Sequence, residues 1–491
     1  MSRVIVSKDE LDRQREYCVL IGDLFRRVKV SSDRFPTYSI KTYGCQLNES
    51  DSEKMAGYFE LMGLSENENT PDILLLNTCA IRENAEERLF GNLGHFKALK
   101  TENPRMIIIV CGCMMKQSSD LERLRKHFNF VDLVFGPQDI HTLPEMLYHR
   151  VSEGQKIVHV SDEDYLPDDD DLPVLRKRRF RALVPIMYGC NNFCTYCVVP
   201  YTRGRERSRD YRRIISQLEQ LSEQGYEEVM LLGQNVNSYG KDLPGAPEFP
   251  ELLNEIAINK WFSRIRFMTS HPKDVSDRLI DVMAKNSSVE RHLHLPFQSG
   301  SNDVLKRMNR GYTRERFLDT ALHYRNEIPE GTISTDIIVG FPGETEADFE
   351  MTLDLMRRVR FDSAFTFIYS KRPGTAAEKF TDEVAPGVIS DRFSRLLHLQ
   401  NNHSLLSNQS VIGNLEEILI EGISHTNKSV YTGRTSSNRL INFTIPEDSF
   451  PVDGSFQITP DNEAWLEGKK AMVRLIHAKT FSIEGRLESF L

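Results

Sequence analysis

Cys45, Cys79 and Cys113 stand at equal intervals of 34 residues. Each closes a short apolar run and opens a helix-like polar segment. Tyr38–Tyr43 leads to Gly44-Cys45, Asp72–Leu76 to Asn77-Thr78-Cys79, and Arg105–Val110 to Cys111-Gly112-Cys113. A fourth run, Val131–Phe135, leads to Gly136-Pro137 without a cysteine. Strand and helix alternating at this length predict a parallel sheet with right-handed crossovers. Ligands of such sheets sit beyond the carboxyl ends of the strands. The three cysteines all fall at that edge and can converge on one site. Three thiols merely buried in a flavodoxin-like sheet are the competing reading. Their common place in successive units, and the glycine before Cys45 and Cys113, favour a shared site. Cys111 would sit nearer the strand, so Cys113 is the preferred ligand.

A second triplet is tighter. In Met187-Tyr188-Gly189-Cys190-Asn191-Asn192-Phe193-Cys194-Thr195-Tyr196-Cys197, cysteine recurs after three intervening residues and then after two. Three thiolates this close can hold three irons of a cubane cluster and leave the fourth without a protein ligand. An open metal position is where a substrate or cofactor binds and reacts. A zinc knuckle needs a fourth ligand, and the nearest histidine, His159, is distant in sequence. Disulfides suit secreted chains.

This triplet follows the first strand of another alternating series. Its candidate strands are Ala182–Met187, Glu228–Leu232, Arg264–Thr269, His292–Leu295, Thr332–Val339 and Ser363–Phe367. Six strand–helix units are fewer than the eight of a closed barrel, so a partial barrel is expected. The loops after the later strands are Gly233-Gln234-Asn235-Val236-Asn237-Ser238, Thr269-Ser270-His271-Pro272, Pro296-Phe297-Gln298-Ser299-Gly300-Ser301 and Gly340-Phe341-Pro342-Gly343-Glu344-Thr345. Together they put amide, hydroxyl and backbone donors around one barrel mouth, which suits a ligand bearing ribose, adenine and amino-acid groups.

The 491 residues suggest three or four domains. The expected division is a polar leader (1–35), the first cysteine-bearing sheet (36–155), a charged linker (156–179), the partial barrel (180–411) and a C-terminal unit (412–491). The linker is acidic over 161–173, then flips sign at Arg176-Lys177-Arg178-Arg179-Phe180-Arg181, a run that is either solvated or phosphate-contacting. In the last unit Leu415–Ile420, Ser429–Gly433, Leu440–Phe443, Ala471–Ile476 and Phe481–Ile483 read as strands of a small OB-like barrel of nucleic-acid-binding size. Lys428, Arg434, Arg439 and Lys479 are its candidate RNA contacts. The net charge of -9 argues mildly against a nucleic-acid partner, but a total can hide a local basic face. Arg203, Arg205, Arg207 and Arg209 place four cations at alternate positions just after the tight triplet, candidate RNA contacts that would steer a phosphate backbone, with salt bridges within an acidic protein as the competing reading. No apolar run approaches the roughly 20 residues of a membrane span, and the N-terminus has no secretory apolar region, so a cytoplasmic protein with no membrane partner is expected. Eight cysteines fit that compartment as ligands or free thiols.

Cys190-x3-Cys194-x2-Cys197, with Tyr196 before the last cysteine, resembles the signature of radical S-adenosylmethionine enzymes. The order of the chain over about residues 36 to 485 resembles the methylthiotransferases: a three-cysteine domain, a radical SAM partial barrel and a C-terminal TRAM domain. Gly44-Cys45-Gln46-Leu47-Asn48 and the stretch from Gly189 to Arg209 look most like the tRNA type acting on isopentenylated adenosine next to the anticodon. Members acting on a small-subunit ribosomal protein usually carry Pro-Lys where Gln46-Leu47 stand. Leu47 replaces the more usual methionine, a volume-conserving change.

The resemblance implies two 4Fe–4S clusters. One lies on Cys190, Cys194 and Cys197 and chelates S-adenosylmethionine. The other lies on Cys45, Cys79 and Cys113 and carries sulfide or polysulfide at its open site. It further implies that one S-adenosylmethionine methylates that sulfur, while a second yields the radical that removes the hydrogen from carbon 2 of the adenine. By matching motif positions, Tyr196 meets the cofactor adenine and Gly233, Gln234 and Asn235 read the methionine amino group. Ser270 and Gln298 face ribose or carboxylate, and Val339, Gly340 and Phe341 flank the adenine. The expected partners are tRNA carrying isopentenyl-adenosine and an electron donor such as flavodoxin or ferredoxin, with the enzyme a monomer. The alternatives are methylthiolation of threonylcarbamoyl-adenosine or of a ribosomal protein, and, in another class, a non-enzymatic RNA-binding protein with structural metal.

Overall fold

The computed structural model describes residues 4–32, 34–80, 83–161, 165–166, 172–424, 426–445 and 466–491. Most of the acidic linker lies outside the described residues. Helix α1 (Lys8–Ser32) covers most of the expected leader. Its Leu11, Cys18, Ile21 and Phe25 are buried in the core that also holds Tyr58, Phe59 and Leu147. Their helical spacing makes one apolar stripe, so the leader is an integral layer of the first domain.

That domain is built on six strands: β1 (Thr37–Tyr43), β2 (Ser65–Glu66), β3 (Ile73–Thr78), β4 (Ile107–Gly112), β5 (Leu133–Phe135) and β6 (Ile157–His159). All neighbours are parallel, in the order β2-β1-β3-β4-β5-β6. β3 and β4 are buried throughout, as expected of strands covered on both faces. Helix α2 (Gln46–Leu61) follows β1 and is buried along nearly its whole length, polar residues included. It is sandwiched between this sheet and the next domain. Gly57 is required there, because a Cβ would lie 2.6 Å from the Pro173 carbonyl oxygen.

The second domain has all six predicted strands: β7 (Arg181–Pro185), β8 (Glu228–Leu232), β9 (Arg264–Phe267), β10 (His292–His294), β11 (Thr332–Val339) and β12 (Ser363–Ile368). They form two parallel three-stranded groups joined through an Ile265–Val289 bridge, a partial barrel. Its largest core, including Val184, Leu231, Ile265, Leu293 and Ile337, lies between the strands and the outer helices. Helix α3 (Pro386–Gln409) leads to the last domain.

There β13 (Leu415–Ser424), β14 (Asn427–Thr435), β15 (Leu440–Thr444), β16 (Lys470–Ala478) and β17 (Ile483–Phe490) close a barrel in the order β13-β14-β15-β17-β16. The last strand begins where Phe481–Ile483 was expected to end. The β14–β15 turn docks on the N-terminal ends of the partial barrel's strands. Arg264 donates to the Arg434 carbonyl at 2.7 Å, Arg266 to Asn438 Oδ1 at 2.9 Å, and Thr332 Oγ1 to the Ser437 carbonyl at 2.6 Å. The closed barrel therefore sits at the end of the partial barrel opposite the cysteine loops.

Candidate functional site

The three cysteine turns of the first sheet are stitched together by side chains. Asn48 donates to Asn77 Oδ1 at 3.0 Å, and Asn77 returns a bond to the Asn48 carbonyl at 2.8 Å. Thr78 Oγ1 donates to the Cys111 carbonyl at 3.1 Å. Gly112 has φ of +104°, and a Cβ there would lie 2.3 Å from the Thr78 carbonyl oxygen. Only glycine permits that close approach, and it turns Cys113 away from the strand. Cys111 instead faces the sheet core, its sulfur 3.7 Å from Met55 Sδ. The geometry thus separates the two thiols as the sequence predicted.

Cys45 and Cys79 interact directly. The hydrogen bond with Cys79 brings the Cys45 thiol down to about 6, against burial and with help from the Arg203 charge. Burial pushes the Cys113 thiol up, with Arg203 opposing. A lowered thiol pKa supplies the thiolate that a metal requires. Cys113 packs with Ala80 and with Val198, the residue after Cys197. The two triplets therefore occupy facing edges of neighbouring domains.

The tight triplet sits in the loop between Met187–Tyr188 and Arg207–Ser208, which pair antiparallel. Gly189 has φ of +76°, and a Cβ would fall 1.9 Å from the Arg205 carbonyl oxygen. Its N–H donates to Gln234 Oε1 at 2.6 Å, which ties the loop to the end of β8. Burial raises Cys190 to about 11 and Cys197 to about 12. Arg310, which the sequence did not single out, donates to Cys194 Sγ and to the Tyr196 hydroxyl, both at 3.3 Å, and to the Pro296 carbonyl at 2.8 Å. No set of three or more His, Cys, Asp or Glu among the described residues is arranged around a single metal ion. Each triplet offers three cysteine sulfurs, the donor set of a cubane with one open iron.

The predicted cofactor residues all lie at the same end of the partial barrel. Tyr196 packs in a small cluster with Ile338 and Phe341, which brings the cysteine loop against the end of β11. Gly340 has φ of +76° and donates to Glu344 Oε2 at 2.9 Å. Val339 belongs to the main core, so its backbone is what it offers a ligand. Gly233 leaves no room for a Cβ beside Met187. Gln298, at φ of +65°, is buried, and its backbone bridges to β11. Asn235 is committed to protein contacts, donating to Asp274 at 2.8 Å and accepting from the His271 N–H at 3.2 Å. Ser270 Oγ and His271 Nε2 are buried without a hydrogen-bond partner among the described residues. Burial and the nearby Arg310 hold His271 well below the ordinary imidazole pKa. Buried polar atoms of this kind are normally satisfied, so a polar ligand in this mouth fits them.

Helix α2 closes the site from the first domain. Leu47 packs on Leu183, Tyr188, Met230 and Leu232, from the strand face opposite the helix-side core. Lys54 donates to the Tyr188 hydroxyl at 3.0 Å. On β12, alternation turns Ala364 to the core and Phe365 and Phe367 to the inside of the barrel, 48% and 40% exposed. Phe365 packs edge-on to His294, with ring centroids 6.1 Å apart.

The expected RNA contacts need correction. Arg203, Arg207 and Arg209 are buried. Arg203 bonds Cys113 at 2.9 Å, Arg207 bonds the Arg203 carbonyl at 2.9 Å, and Arg209 bonds Gln217 at 3.1 Å. The antiparallel pairing at Arg207–Ser208 draws this segment under the cysteine loop. Arg205 alone of the four is exposed, with its guanidinium 4.1 Å from the Phe193 ring centroid. Arg434 pairs with Glu421 at 3.3 Å, and Arg439 bonds Ser407 at 2.9 Å and pairs with Asp362 at 3.4 Å. The Arg434 pair lies within the closed barrel, whereas Arg439 ties that barrel to the partial barrel and its last helix. The Arg176–Arg181 run is likewise drawn into ion pairs, Arg178 with Glu467 and Arg181 with Glu228 and Glu421. Lys428 remains exposed, as does Lys479 beside Glu484 at 2.5 Å.

A parallel partial barrel that opens with Cys-x3-Cys-x2-Cys after its first strand defines a radical S-adenosylmethionine enzyme. Residues 184–356 match the family described as Radical SAM superfamily, and residues 37–136 match Uncharacterized protein family UPF0004. The tRNA-2-methylthio-N(6)-dimethylallyladenosine synthase of Acetivibrio thermocellus is 45% identical over 486 residues, covering 99% of this chain and 98% of that protein. The protein of the same name from Carboxydothermus hydrogenoformans is 47% identical over 454 residues, 92% of this chain and 99% of that one. A solved radical S-adenosylmethionine methyltransferase, TsrM from Kitasatospora setae, is 15% identical, with a TM-score of 0.46 over 67% of this chain and 69% of its own. The chain belongs to the family of tRNA-2-methylthio-N(6)-dimethylallyladenosine synthases. No helix among the described residues is long and apolar enough to cross a membrane.

Proposed function

We propose that this enzyme replaces the hydrogen on carbon 2 of isopentenyl-adenosine, next to the anticodon at position 37 of tRNA, by a methylthio group, using two S-adenosylmethionine per turnover. The observation that carries the reading is the contact of Cys113 with Val198, which sets two three-cysteine edges face to face. When bound, a radical-generating 4Fe–4S cluster with S-adenosylmethionine and a second, sulfur-carrying 4Fe–4S cluster supply the hydrogen abstraction and the methylthio group. The chain's own residues hold and shield these groups. Cys190, Cys194 and Cys197 hold the first cluster and Cys45, Cys79 and Cys113 the second. Ser270, Gln298 and the backbone at Tyr196, Gly233, Gln234 and Val339–Phe341 orient S-adenosylmethionine. The apolar contact of Leu47 on Leu183, Met230 and Leu232 excludes water from between the edges, which protects a reactive intermediate. Phe365 and Phe367 receive the apolar-substituted base through the open side of the barrel.

On this reading the first sheet is flavodoxin-like, its order matching that fold with one strand added, and the closed C-terminal barrel is a TRAM domain. Lys428 and Arg205 meet tRNA phosphates. The electron donor is a flavodoxin or ferredoxin, the open site of the second cluster carries sulfide or polysulfide, and the enzyme works in the cytoplasm as a monomer. Mass spectrometry of tRNA nucleosides from a strain lacking the gene tests the function. Methylthio-isopentenyladenosine should vanish and isopentenyladenosine accumulate, with wild type but not Cys113→Ala restoring the product. Retained product in the deletion strain refutes the proposal.

A further inference from the structure

The loop of the tight cysteine triplet and the cysteine edge of the first sheet share one buried ion pair. Arg203, six residues after Cys197, is 5% exposed. Its Nε donates to Cys113 Sγ at 2.9 Å, and its Nη2 lies 2.7 Å from Asp51 Oδ2. Asp51 is itself 3% exposed and sits on α2, the helix that Cys45 opens. The backbone around the arginine is pinned as well. Arg207 donates to the Arg203 carbonyl at 2.9 Å, and Gln138 of the first domain donates to the Thr202 carbonyl at 3.1 Å. A guanidinium keeps its charge in proteins, so the cation is permanent.

Burying an ion pair gains little stability over an apolar contact of the same shape. This one divides its planar fork between a carboxylate and a sulfur, a geometry a lysine cannot reproduce. Net charge and hydrogen bonds to the sulfurs set the potential of an iron–sulfur cluster, and outer partners orient metal ligands. We propose that Arg203 is a positioning residue for the sulfur-carrying cluster: oriented by Asp51, it hydrogen-bonds the Cys113 sulfur and balances the negative charge of the thiolates and of the sulfur to be donated. The radical domain thereby completes the surroundings of a cluster whose ligands all belong to the other domain. The inference rests on reading Cys45, Cys79 and Cys113 as cluster ligands.

The test uses the full-length chain with Cys190, Cys194 and Cys197 all replaced by alanine, reconstituted anaerobically so that only the second cluster forms. About four irons per chain are expected, and an iron-free protein dismisses the ligand assignment itself. On that background the midpoint potential is measured by electron paramagnetic resonance during redox titration. Arg203→Gln should favour the oxidised cluster by at least tenfold, about 59 mV downward for a one-electron couple. Arg203→Lys, which keeps the charge and loses the fork, should recover only part of that shift, and Asp51→Asn, which leaves the guanidinium uncompensated, should move the potential upward. A potential unmoved by Arg203→Gln overturns the proposal. Should Arg203→Gln fail to hold iron, Asp51→Asn decides: an upward shift supports the proposal, and an unchanged or lowered potential overturns it.

Discussion

Arg310 Nη1 lies 3.3 Å from Cys194 Sγ, and the same guanidinium bonds the Pro296 carbonyl at 2.8 Å and the Tyr312 hydroxyl at 3.2 Å. A buried cation thus ties the radical-cluster loop to the loop after β10, where Gln298 stands. Replacing an outer partner of a metal ligand typically costs about 10–100-fold in metal affinity or activity. Arg310→Gln should lower reductive cleavage of S-adenosylmethionine by that factor, read as 5′-deoxyadenosine formed per iron. Arg310→Lys should fall between, because it keeps the charge and loses the fork.

Gly189 controls whether the tight triplet can form at all. Its φ of +76° and the 1.9 Å approach of a Cβ to the Arg205 carbonyl oxygen leave no room for a side chain. Gly189→Ala should cost about 1–3 kcal/mol of local strain and empty the first cluster while sparing the second. Iron analysis should fall from roughly eight to roughly four per chain.

The placement of both triplets was legible because cysteine spacing is written in the chain, and the 34-residue interval already placed Cys45, Cys79 and Cys113 on one edge. That Cys111 sits in the strand and Cys113 beyond it was legible from where the apolar run ends, but the turn that parts the two thiols comes from Gly112 at φ of +104°, since alternation alone would leave residues two apart on one face. The fate of the arginines was not legible. Four cations at alternate positions look like a phosphate track, yet burial of Arg203, Arg207 and Arg209 depends on a strand pairing and on Asp51, 152 residues away in sequence. Arg310 was invisible for the same reason: its sulfur contact joins residues 116 apart. The leader's polar composition hid the stripe of Leu11, Cys18, Ile21 and Phe25 by which its helix joins the core of the first sheet.

Cys45 should be the reactive thiol of the cluster-free protein. With its pKa lowered to about 6, first by Cys79 and then, against burial, by Arg203, it is mostly thiolate at neutral pH. Cys18, pushed to about 12 by burial, is not. Iodoacetamide labelling of apoprotein, mapped by mass spectrometry, should mark Cys45 ahead of Cys18 at pH 7. The Cys45 rate should fall as pH drops through about 6, where the thiolate is protonated. Cluster reconstitution should abolish the labelling, whereas equal labelling with and without iron would remove Cys45 from the ligand set.

Phe365 and Phe367 present large apolar rings to the inside of the barrel, 48% and 40% exposed. Base–aromatic stacking is worth about 1–3 kcal/mol per base by alanine substitution. Phe365→Ala should raise KM for isopentenylated tRNA about tenfold, with 5′-deoxyadenosine formation in the absence of tRNA unchanged. A loss of cofactor cleavage without tRNA would instead make the residue part of cluster assembly.

The corrected placement of the basic residues divides their substitutions into two kinds. Lys428 and Arg205 are exposed and can reach phosphate, whereas Arg439 is bonded to Ser407 and Asp362 at the junction of the closed barrel. Each phosphate contact removed should lower the slope of log affinity against log salt by about 1 and weaken all tRNAs alike. Lys428→Ala and Arg205→Ala should each do so with the melting temperature unchanged. Arg439→Ala should leave the salt slope intact and destabilise the fold, since Asp362 then loses the Arg439 pair and, among the described residues, keeps Arg325 at 2.7 Å. Filter binding of tRNA between low and physiological salt, beside thermal melting, separates the two. A reduced slope with unaltered melting for Arg439→Ala would return that residue to the RNA-binding surface.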